Sequence, residues 1–367
     1  MLKHILPVAL ICATTALFAQ PQMDRILGNL QARQIGPATT SGRITAIDAV
    51  NRSPEVIYVG TAGGGLWKTT SGGAVFLPVF DDYCQSIGKV TIDQNHPDTV
   101  WVGAGESWVR NSVSIGDGIY RTTNGGKAWE HLGLKNTERI SDIVIHPSSP
   151  NTVFVAAQGA LWSPNPERGV FKTSDGGKTW EKILYIDEHT GATDLDIDPK
   201  NPDILYATLW SHRRYPDFFD SGLNGNSGVY KSTDGGKTWN KIHQGLPKET
   251  LGRMAIAVAP GNGEVIYLTV ESKSKEGKGL YLSTDQGGSW TKVSNEFNAT
   301  VRPFYFSHLV ADPKNDSIVM KAGLAMIVSE NRGKSWRPMN QAVHSDVHAI
   351  WIDPNNTKHL LIGTDGG

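Results

Sequence analysis

Aromatic and arginine side chains are concentrated in stretches of irregular sequence. These stretches are residues 104–117, 158–168, 209–227 and 271–278. Aromatic rings offer flat faces to sugar rings and to aromatic or proline-rich peptides, and arginine pairs with carboxylates. The sequence therefore predicts a ligand-binding surface formed by Trp108, Arg110, Trp162, Trp210, Arg213, Arg214 and Tyr215. The alternative is that the rings fold down onto the protein and pack as small cores beneath the loops.

A second set of charged residues stands at the start of apolar, strand-like segments. It comprises Arg43, Lys89, Arg139, Asp142, Asp194, Arg253, His308 and His348. If these segments surround one channel, Arg43, Arg253 and His308 can hold a carboxylate-bearing ligand, and a carboxylic acid can transfer a proton. The alternative is a hydrated channel whose charges pair with one another. The sequence shows no metal-ligand spacing and no glycine-rich phosphate loop, so no cofactor is predicted.

A short motif that returns about every fifty residues defines the elements that position these side chains. Its clearest copy, STDGGKTW at residues 232–239, follows the pattern S/T-x-D/N-x-G-x-x-W. Further copies begin at residues 122, 173, 283 and 329, and a degenerate copy at 69–76 contains Ser71 and Phe76 in place of the acid and the Trp. An Asp or Asn accepts backbone N–H bonds and a glycine adopts positive φ. The motif, an Asp box, therefore predicts a hairpin turn whose Trp packs against a neighbouring repeat.

A second signature alternates with the Asp box. It consists of an apolar strand, a turn that often contains Asp-Pro, and a β-branched strand, and it occurs seven times, first at residues 44–59 and last at 350–362. Proline blocks ladder pairing and so marks the turn between the two strands. With the hairpin of the Asp box, each repeat has four strands, and helical periodicity is absent after the N-terminal segment. We predict an all-β fold, a β-propeller of four-stranded blades with six complete blades and the start of a seventh.

The topology of such blades predicts where a site lies. The first and third turns of every blade share one face of the ring, and the second turns and the connections between blades share the other. The irregular stretches fall in second turns, so we expect them together on one face, opposite the Asp boxes.

Composition and the N-terminus limit the function classes. The 367 residues carry 35 basic and 36 acidic side chains, which makes nucleic acid an unsuitable partner. Residues 1–19 have the charged start and short apolar run of a secretory signal peptide, which predicts a secreted, periplasmic or cell-surface protein without a membrane span. Residues 20–30 are predicted to form a linker, and residues 31–367 the propeller. A strand is expected at 31–37, and the seventh blade is expected to be truncated at Gly367.

Together, these features resemble a known family. The sequence Ile35-Gly36-Pro37, the following Ser41-Gly42-Arg43, the segment YVGTAGGGLWK at residues 58–68 and the repeats are similar to exported bacterial Asp-box (BNR) repeat proteins. That family is related to the sortilin N-terminal propeller and to xyloglucanase-type glycoside hydrolases. The resemblance extends from residue 31 to the end of the sequence. Asp-box propellers include sialidases, endoglucanases, peptide receptors and assembly factors, so the resemblance implies the fold and leaves the activity open.

The resemblance also identifies positions for catalysis. Xyloglucanase-type enzymes carry a catalytic Asp just after the second strand of the first blade, where this chain has Ala62. A hydrolase would then need acid and base groups elsewhere, and the candidates are Asp142, Asp194, Glu106 and Asp365. Two of these carboxyl groups would have to lie about 5–10 Å apart. Sialidase-type chemistry requires an Arg-Ile-Pro start that the sequence lacks.

Three functional hypotheses follow. The first is an exported propeller whose long-loop face binds a glycan or an extended peptide. The second is a glycoside hydrolase that acts on a polysaccharide, similar to the xyloglucanases. The third is a docking platform for another exported protein or for downstream domains of the same chain.

Overall fold

The computed structural model describes residues 42–110, 113–222, 224–339 and 343–367. The segments predicted as signal peptide, linker and N-terminal strand, residues 1–37, lie outside these ranges. The described residues belong to one unit that spans residues 36–367. They form antiparallel sheets with two short 3-10 helices, Lys135–Thr137 and Phe297–Ala299. Among them, no helix has the length and apolar character needed to cross a membrane.

The first three blades each contain four strands that pair in chain order. Blade 1 consists of β1 (Ile44–Val50), β2 (Ser53–Thr61), β3 (Leu66–Thr69) and β4 (Leu77–Pro78). Blade 2 consists of β5 (Ile87–Ile92), β6 (Val100–Ala104), β7 (Ile119–Thr122) and β8 (Glu130–His131). Blade 3 consists of β9 (Ile140–Ile145), β10 (Val153–Ala157), β11 (Gly169–Thr173) and β12 (Glu181–Leu184).

The remaining blades follow the same plan. Blade 4 consists of β13 (Thr190–Ile197), β14 (Leu205–Arg214), β16 (Gly228–Ser232) and β17 (Asn240–Ile242), and β15 (Phe219–Ser221) pairs with the end of β14. Blade 5 consists of β18 (Leu251–Ala259), β19 (Asn262–Ser272), β20 (Gly279–Ser283) and β21 (Thr291–Ser294). Blade 6 consists of β22 (His308–Ala311), β23 (Val319–Ala322), β24 (Ile327–Ser329) and β25 (Arg337–Pro338). The last sheet pairs β26 (Val347–Ile352) with β27 (Leu360–Thr364), which confirms the prediction of six blades and the start of a seventh.

The Asp boxes form the predicted turns. In blade 4, Asp234 accepts hydrogen bonds from the Ser232 hydroxyl at 2.8 Å, the Thr238 N–H at 2.9 Å and the Thr238 hydroxyl at 2.6 Å. The hydrogen bonds from Thr238 and Ser232 lower the pKa of Asp234 to about 2. Gly235 and Gly236 have φ angles of 68° and 86°, a region that glycine adopts without strain. The turn is thus determined almost wholly by residues within the motif.

Bonds between a cation and a carbonyl connect successive blades. One basic residue of the third strand in each of blades 1 to 4 donates to the Asp-box turn of the following blade. The pairs are Lys68 with Gly125 O, Arg121 with Gly176 O, Lys172 with Gly235 O and Lys231 with Gln286 O, at 2.7 to 2.8 Å. Each basic group also lies 5.1 to 5.5 Å from an aromatic ring of its own blade, a distance at which a cation is attracted to the ring.

Apolar clusters fill the spaces between neighbouring blades and close the ring. The cluster between blades 7 and 1 contains Ile44, Val59 and Trp67 from one blade and Ala349 and Trp351 from the other. Burial of such side chains supplies most of the stabilisation of a sheet protein, at about 25 cal/mol per Å² of apolar surface. The inner two strands of blade 7 therefore suffice to join blade 1.

The two faces of the ring differ as predicted. On one face the Asp-box turns bond to the first turn of their own blade, as in Gly125 N–H to Asp98 O and Gly235 N–H to Asp203 O, both at 2.9 Å. On the other, which we call the loop face, second turns meet one another. There Arg214 N–H donates to Leu161 O at 2.8 Å. The loop face therefore gathers second-turn sequence of several blades. The stretch 209–227 is less irregular than predicted, because β14 continues to Arg214 and pairs there with β15.

Candidate functional site

The central channel contains a pair of carboxyl groups. The channel is a cavity of about 320 Å³ lined by the inner strands, and Asp142 and Asp194 both line it. Lys89 Nζ lies 2.8 Å from Asp142 Oδ1. Burial and the charge of Asp142 raise the pKa of Asp194 well above its ordinary value. Burial also acts to raise the pKa of Asp142, but the charge of Lys89 helps to lower it below its ordinary value. Asp194 is therefore the more readily protonated of the two carboxyl groups.

Further buried acids in the channel connect neighbouring inner strands. Asp48 of β1 accepts the N–H of Ile92 at 2.8 Å, and Asp196 of β13 accepts the N–H of Val258 at 2.7 Å. Asp142 and Asp194 make the same kind of bond, to the N–H groups of the inner strands of blades 4 and 5. Burial raises the pKa of Asp48 to about 6 and that of Asp196 to about 7. The channel acids thus bond the inner strands of neighbouring blades to one another, and the pair of Lys89 and Asp142 is the kind of ion pair that the alternative describes.

These shifts predict that the ring is less stable at higher pH. Because the folded pKa values of Asp48 and Asp196 exceed their ordinary value of 3.8, their contribution to stability is complete below pH 4 and is lost as pH rises through 6 and 7. At about 1.4 kcal/mol per pKa unit, we expect the free energy of unfolding to fall by about 2–4 kcal/mol between pH 5 and pH 8. Urea denaturation across this range measures the effect. The slope should be smaller in Asp196→Asn, and stability that rises with pH would contradict the prediction.

On the loop face, Arg43 and Glu106 form a bidentate ion pair. Arg43 Nε lies 2.5 Å from Glu106 Oε1, and Nη2 lies 2.7 Å from Oε2. The Arg43 side chain is 12% exposed and that of Glu106 is 1% exposed. Arg43 precedes β1 and Glu106 follows β6, so the pair joins blades 1 and 2. Burial raises the pKa of Glu106 even though Arg43 stabilises its charged form.

Next to this pair, Tyr305 and Asp365 form a polar cluster. Tyr305 Oη lies 2.9 Å from both carboxylate oxygens of Asp365, and His348 Nε2 lies 2.9 Å from Oδ1. Arg43 and Arg110 each approach the Asp365 carboxylate to 4.0 Å, and Arg110 Nη1 donates to Tyr305 Oη at 3.2 Å. Burial raises the pKa of Tyr305 to about 12, so the phenol stays protonated and donates to Asp365. Burial acts to raise the pKa of Asp365, but the hydrogen bond to His348 helps to lower it below its ordinary value.

Arg110 is the most exposed cationic group of the cluster. The Arg110 side chain is 43% exposed, and Tyr305 accepts the one hydrogen bond that its guanidinium makes within the described residues. An incoming carboxylate can therefore bind to Arg110 beside the Tyr305 hydroxyl, as a charge-assisted pair. The site thus has the chemistry of an anion-binding subsite.

Trp108, Trp210 and Arg253 lie beneath this surface. Trp108 is 7% exposed and Trp210 is fully buried. The Arg253 guanidinium lies 5.0 Å from the Trp108 ring and 5.2 Å from the Trp210 ring, and it donates to Ser107 O and Phe304 O. The expectation that these two Trp rings offer exposed faces is wrong, because Arg253 and the converging loops cover them. These two rings therefore follow the alternative in which the aromatic side chains pack as small cores beneath the loops.

His308 is partly buried. It lies in the channel with Nε2 3.4 Å from Ile350 O, and burial lowers its pKa to about 4. The ring is therefore neutral at physiological pH and does not supply a charge for a ligand.

Other aromatic and arginine side chains of these loops are partly or largely exposed, and we define Trp162, Arg213, Tyr215 and Phe218 as the aromatic and arginine patch. Trp162 is 47% exposed and Phe218 is 51% exposed. Tyr215 stacks on Phe218 with centroids 4.4 Å apart, and the Arg213 guanidinium lies 5.0 Å from the Tyr215 ring. Arg214 lies against Phe219 at 5.9 Å, below this patch.

The patch and the anion-binding subsite are neighbours. Val109, Leu161 and Trp210 pack in one buried cluster. Arg110 directly follows Val109, and Trp162 directly follows Leu161, so both emerge from the same core. Arg110 and Trp162 are therefore each adjacent in sequence to a residue of this buried cluster.

A family comparison identifies the fold family. The family model for Sortilin-Vps10, described as sortilin, neurotensin receptor 3, matches residues 117–278 and 227–365. These overlapping matches cover more than half of the chain. The chain belongs to this family.

Individual relatives agree with this assignment. A probable oligoxyloglucan-reducing end-specific xyloglucanase of Neosartorya fischeri is 23% identical over 359 residues, which are 84% of this chain and 41% of the relative. The chain spans less than half the length of the curated relatives it matches. The crystal structure of a GH74 xyloglucanase from Xanthomonas campestris superimposes with a TM-score of 0.65 at 16% identity, covering 92% of this chain and 52% of that one. The structure of YCF48 bound to D1 peptide gives a TM-score of 0.57 at 16% identity, covering 92% and 94%.

These likenesses show the fold. They confirm an Asp-box propeller related to sortilin and to the xyloglucanases. Ala62, where the resemblance places a catalytic Asp in xyloglucanases, follows β2 and donates its N–H to Arg43 O at 2.9 Å. The Arg43 carbonyl accepts this bond from Ala62, and the Arg43 side chain contacts the carboxylates of Glu106 and Asp365.

Tyr305 was missing from the sequence-based candidates. It lies in the connection between blades 5 and 6, whereas the aromatic candidates stand in the stretches predicted as second turns. The available signal was the aromatic run Phe304, Tyr305 and Phe306 just before β22.

Proposed function

We propose that the chain is an exported binding module whose loop face holds an extended peptide with an acidic group. The observation that carries this proposal is the exposed patch of Trp162, Arg213, Tyr215 and Phe218 beside the anion-binding subsite at Arg110. Aromatic and arginine side chains dominate the binding energy of protein interfaces. Export is part of the proposal, on the basis of residues 1–19.

The charges favour a peptide over a neutral polysaccharide. Glu106 is engaged by Arg43, and Asp365 is engaged by Tyr305 and His348. These carboxylates are therefore occupied and offer little to sugar hydroxyls. Arg110 is the exposed donor, and it matches an acidic side chain or another carboxylate.

The surface is also held in place before a ligand arrives. Val109, Leu161 and Trp210 pack beneath it, and Arg253 donates to carbonyls of two loops. A surface already ordered loses less conformational entropy on binding, which favours affinity. YCF48, a propeller that this chain covers almost completely, is described as bound to a peptide, which supports the same use of a ring of this size.

The alternative is a glycoside hydrolase, and one observation favours it. Glu106 and Asp365 both contact Arg43, and their surroundings move their pKa values apart, upward for Glu106 and downward for Asp365. Such a difference is what an acid and a base on one enzyme require. The xyloglucanase relative supports this second candidate.

Replacement of Trp162 and Tyr215 by alanine tests the binding proposal. An array of extended peptides that contain acidic and aromatic residues is screened first, and the Kd of the selected peptides is measured by fluorescence anisotropy. We expect the double variant to bind at least about tenfold more weakly, since aromatic anchors at interfaces contribute more than about 1 kcal/mol each. Leu77→Ala, at an exposed apolar residue of β4, is the matched control and should bind normally.

Different outcomes separate the hypotheses. Equal binding by wild type and double variant would exclude the patch as the peptide site. Release of reducing sugar from xyloglucan, together with the absence of peptide binding, would support the hydrolase. If neither peptide binding nor release of reducing sugar is observed, the docking-platform hypothesis remains. Co-purification of partners from an envelope extract tests that hypothesis.

A further inference from the structure

Two arginines are buried together between blades 3 and 4. Arg139 is 1% exposed and Arg168 is fully buried. Arg139 Nη1 donates to Gly159 O at 3.3 Å, and Arg168 Nη1 donates to Gln158 O at 2.9 Å. Both guanidinium groups therefore hold the same short segment, residues 158–160, just below the loop face.

Their positive charge is only partly balanced. Glu138 Oε2 lies 2.9 Å from Arg139 Nη1, but its side chain is one-third exposed. The polar contacts of Arg168 are backbone carbonyls and the ring of His212. Burial lowers the pKa of His212 well below its ordinary value, so this ring is neutral. Burial lowers the pKa of Arg168 to about 10, the charge of Arg139 acts in the same direction, and the charges of Asp187 and Glu138 oppose it.

Several polar atoms in this cluster have no hydrogen-bond partner among the described residues. They are Arg139 Nε, Arg168 Nε and both amide atoms of the Gln158 side chain, which is fully buried. A buried donor without a partner costs about 1–3 kcal/mol, and a buried charge without a counter-charge costs several. Gly159 has a φ of 83°, and a Cβ there would lie 2.4 Å from Arg168 Cγ, so this glycine allows the arginine to approach the segment. Three of these four atoms, Arg139 Nε, Arg168 Nε and Gln158 Nε2, are N–H donors without an acceptor among the described residues, and the fourth, Gln158 Oε1, is an acceptor.

We propose that Arg139, Arg168 and Gln158 form an internal site for a small inorganic anion of the size of chloride. Two guanidinium groups exclude a cation. A water molecule would satisfy the hydrogen bonds but would leave the excess positive charge. The polar atoms have no solvent access, so the carboxylate of a peptide or a polysaccharide does not reach them, whereas a small ion enters when the loop opens briefly.

The bound anion would stabilise the loop that carries Trp162. The segment 158–160 leads directly into Leu161 and Trp162, and it is held through the carbonyls that the two arginines contact. An anion neutralises the repulsion between these arginines and thereby fixes the segment. This site is independent of the peptide-binding proposal, since it would order the loop whatever the loop face binds.

Thermal unfolding in different sodium salts tests the proposal. At constant ionic strength, we expect the melting temperature to increase saturably as sodium chloride or bromide replaces sodium gluconate, by about 3 °C or more, because ligands that bind the folded state stabilise it. Arg168→Gln should lose this dependence. Arg52→Gln, at an exposed arginine in the first turn of blade 1, is the matched control and should retain it.

A crystallographic measurement covers the case in which Arg168→Gln does not fold. Wild-type crystals soaked in sodium bromide should show an anomalous peak between Arg139 Nε and Arg168 Nε. A melting temperature that is the same in chloride and gluconate, or bromide crystals without a peak at this position, would overturn the proposal.

Discussion

Replacement of Trp210 by alanine is expected to lower the free energy of unfolding by about 3–5 kcal/mol, as for other large buried aromatic residues. Trp210 is fully buried, stacks on His212 with centroids 4.2 Å apart, and donates its Nε1–H to Ser221 Oγ at 2.8 Å. The alanine variant leaves a cavity and removes the ring that Arg253 contacts. Urea denaturation followed by circular dichroism measures the loss.

Trp162→Ala is the matched control for this experiment. Trp210 lies in strand β14, whereas Trp162 stands in the second turn of blade 3 and is exposed, so replacement of Trp162 should change the free energy of unfolding by less than about 1 kcal/mol. Equal losses in both variants would contradict the assignment of Trp210 to packing and of Trp162 to the surface.

Glu106→Ala is expected to destabilise the protein by about 3–5 kcal/mol, because it leaves the largely buried Arg43 guanidinium without its bidentate partner. The 4.0 Å approach of Asp365 replaces only a small part of that interaction. The double variant with Arg43→Ala should lose less than the sum of the two single losses, since the second replacement removes the unpaired charge. Denaturation of the three variants gives the coupling energy.

A surface ion pair supplies the comparison for Glu106. Glu130 contacts Arg121 at 3.0 Å, but its side chain is 63% exposed. Glu130→Ala should cost less than about 1 kcal/mol, as exposed pairs usually do. A loss for Glu106→Ala no larger than that for Glu130→Ala would show that the Arg43 pair contributes little to stability.

The propeller could be predicted from the sequence because its repeating parts are local. The hydrogen bonds of Asp234 all lie within the motif that contains it, so a window of eight residues specifies the turn. The alternation of this motif with the strand pairs then sets the number of blades. Long-range information is not needed for either step.

The site could be predicted only in part because its members are distant in sequence. Tyr305 is separated by 262 residues from Arg43 and by 60 from Asp365, so their contact depends on the closed ring. Trp162 and Trp210 likewise stand in similar sequence surroundings. Arg253, which contributes to the burial of Trp210, belongs to another blade, and no pattern near Trp210 indicates it.

The position of the polar cluster at the seam of the ring has a mechanical consequence. Arg43 enters from blade 1, and Asp365 and His348 belong to blade 7, the two blades that the apolar cluster of Ile44, Trp67 and Trp351 joins. If blades 7 and 1 separate, the polar cluster that forms the subsite is also disrupted. A ligand that binds Arg110 and Tyr305 only in the intact cluster would therefore stabilise the closed ring, and this stabilisation would increase with ligand occupancy.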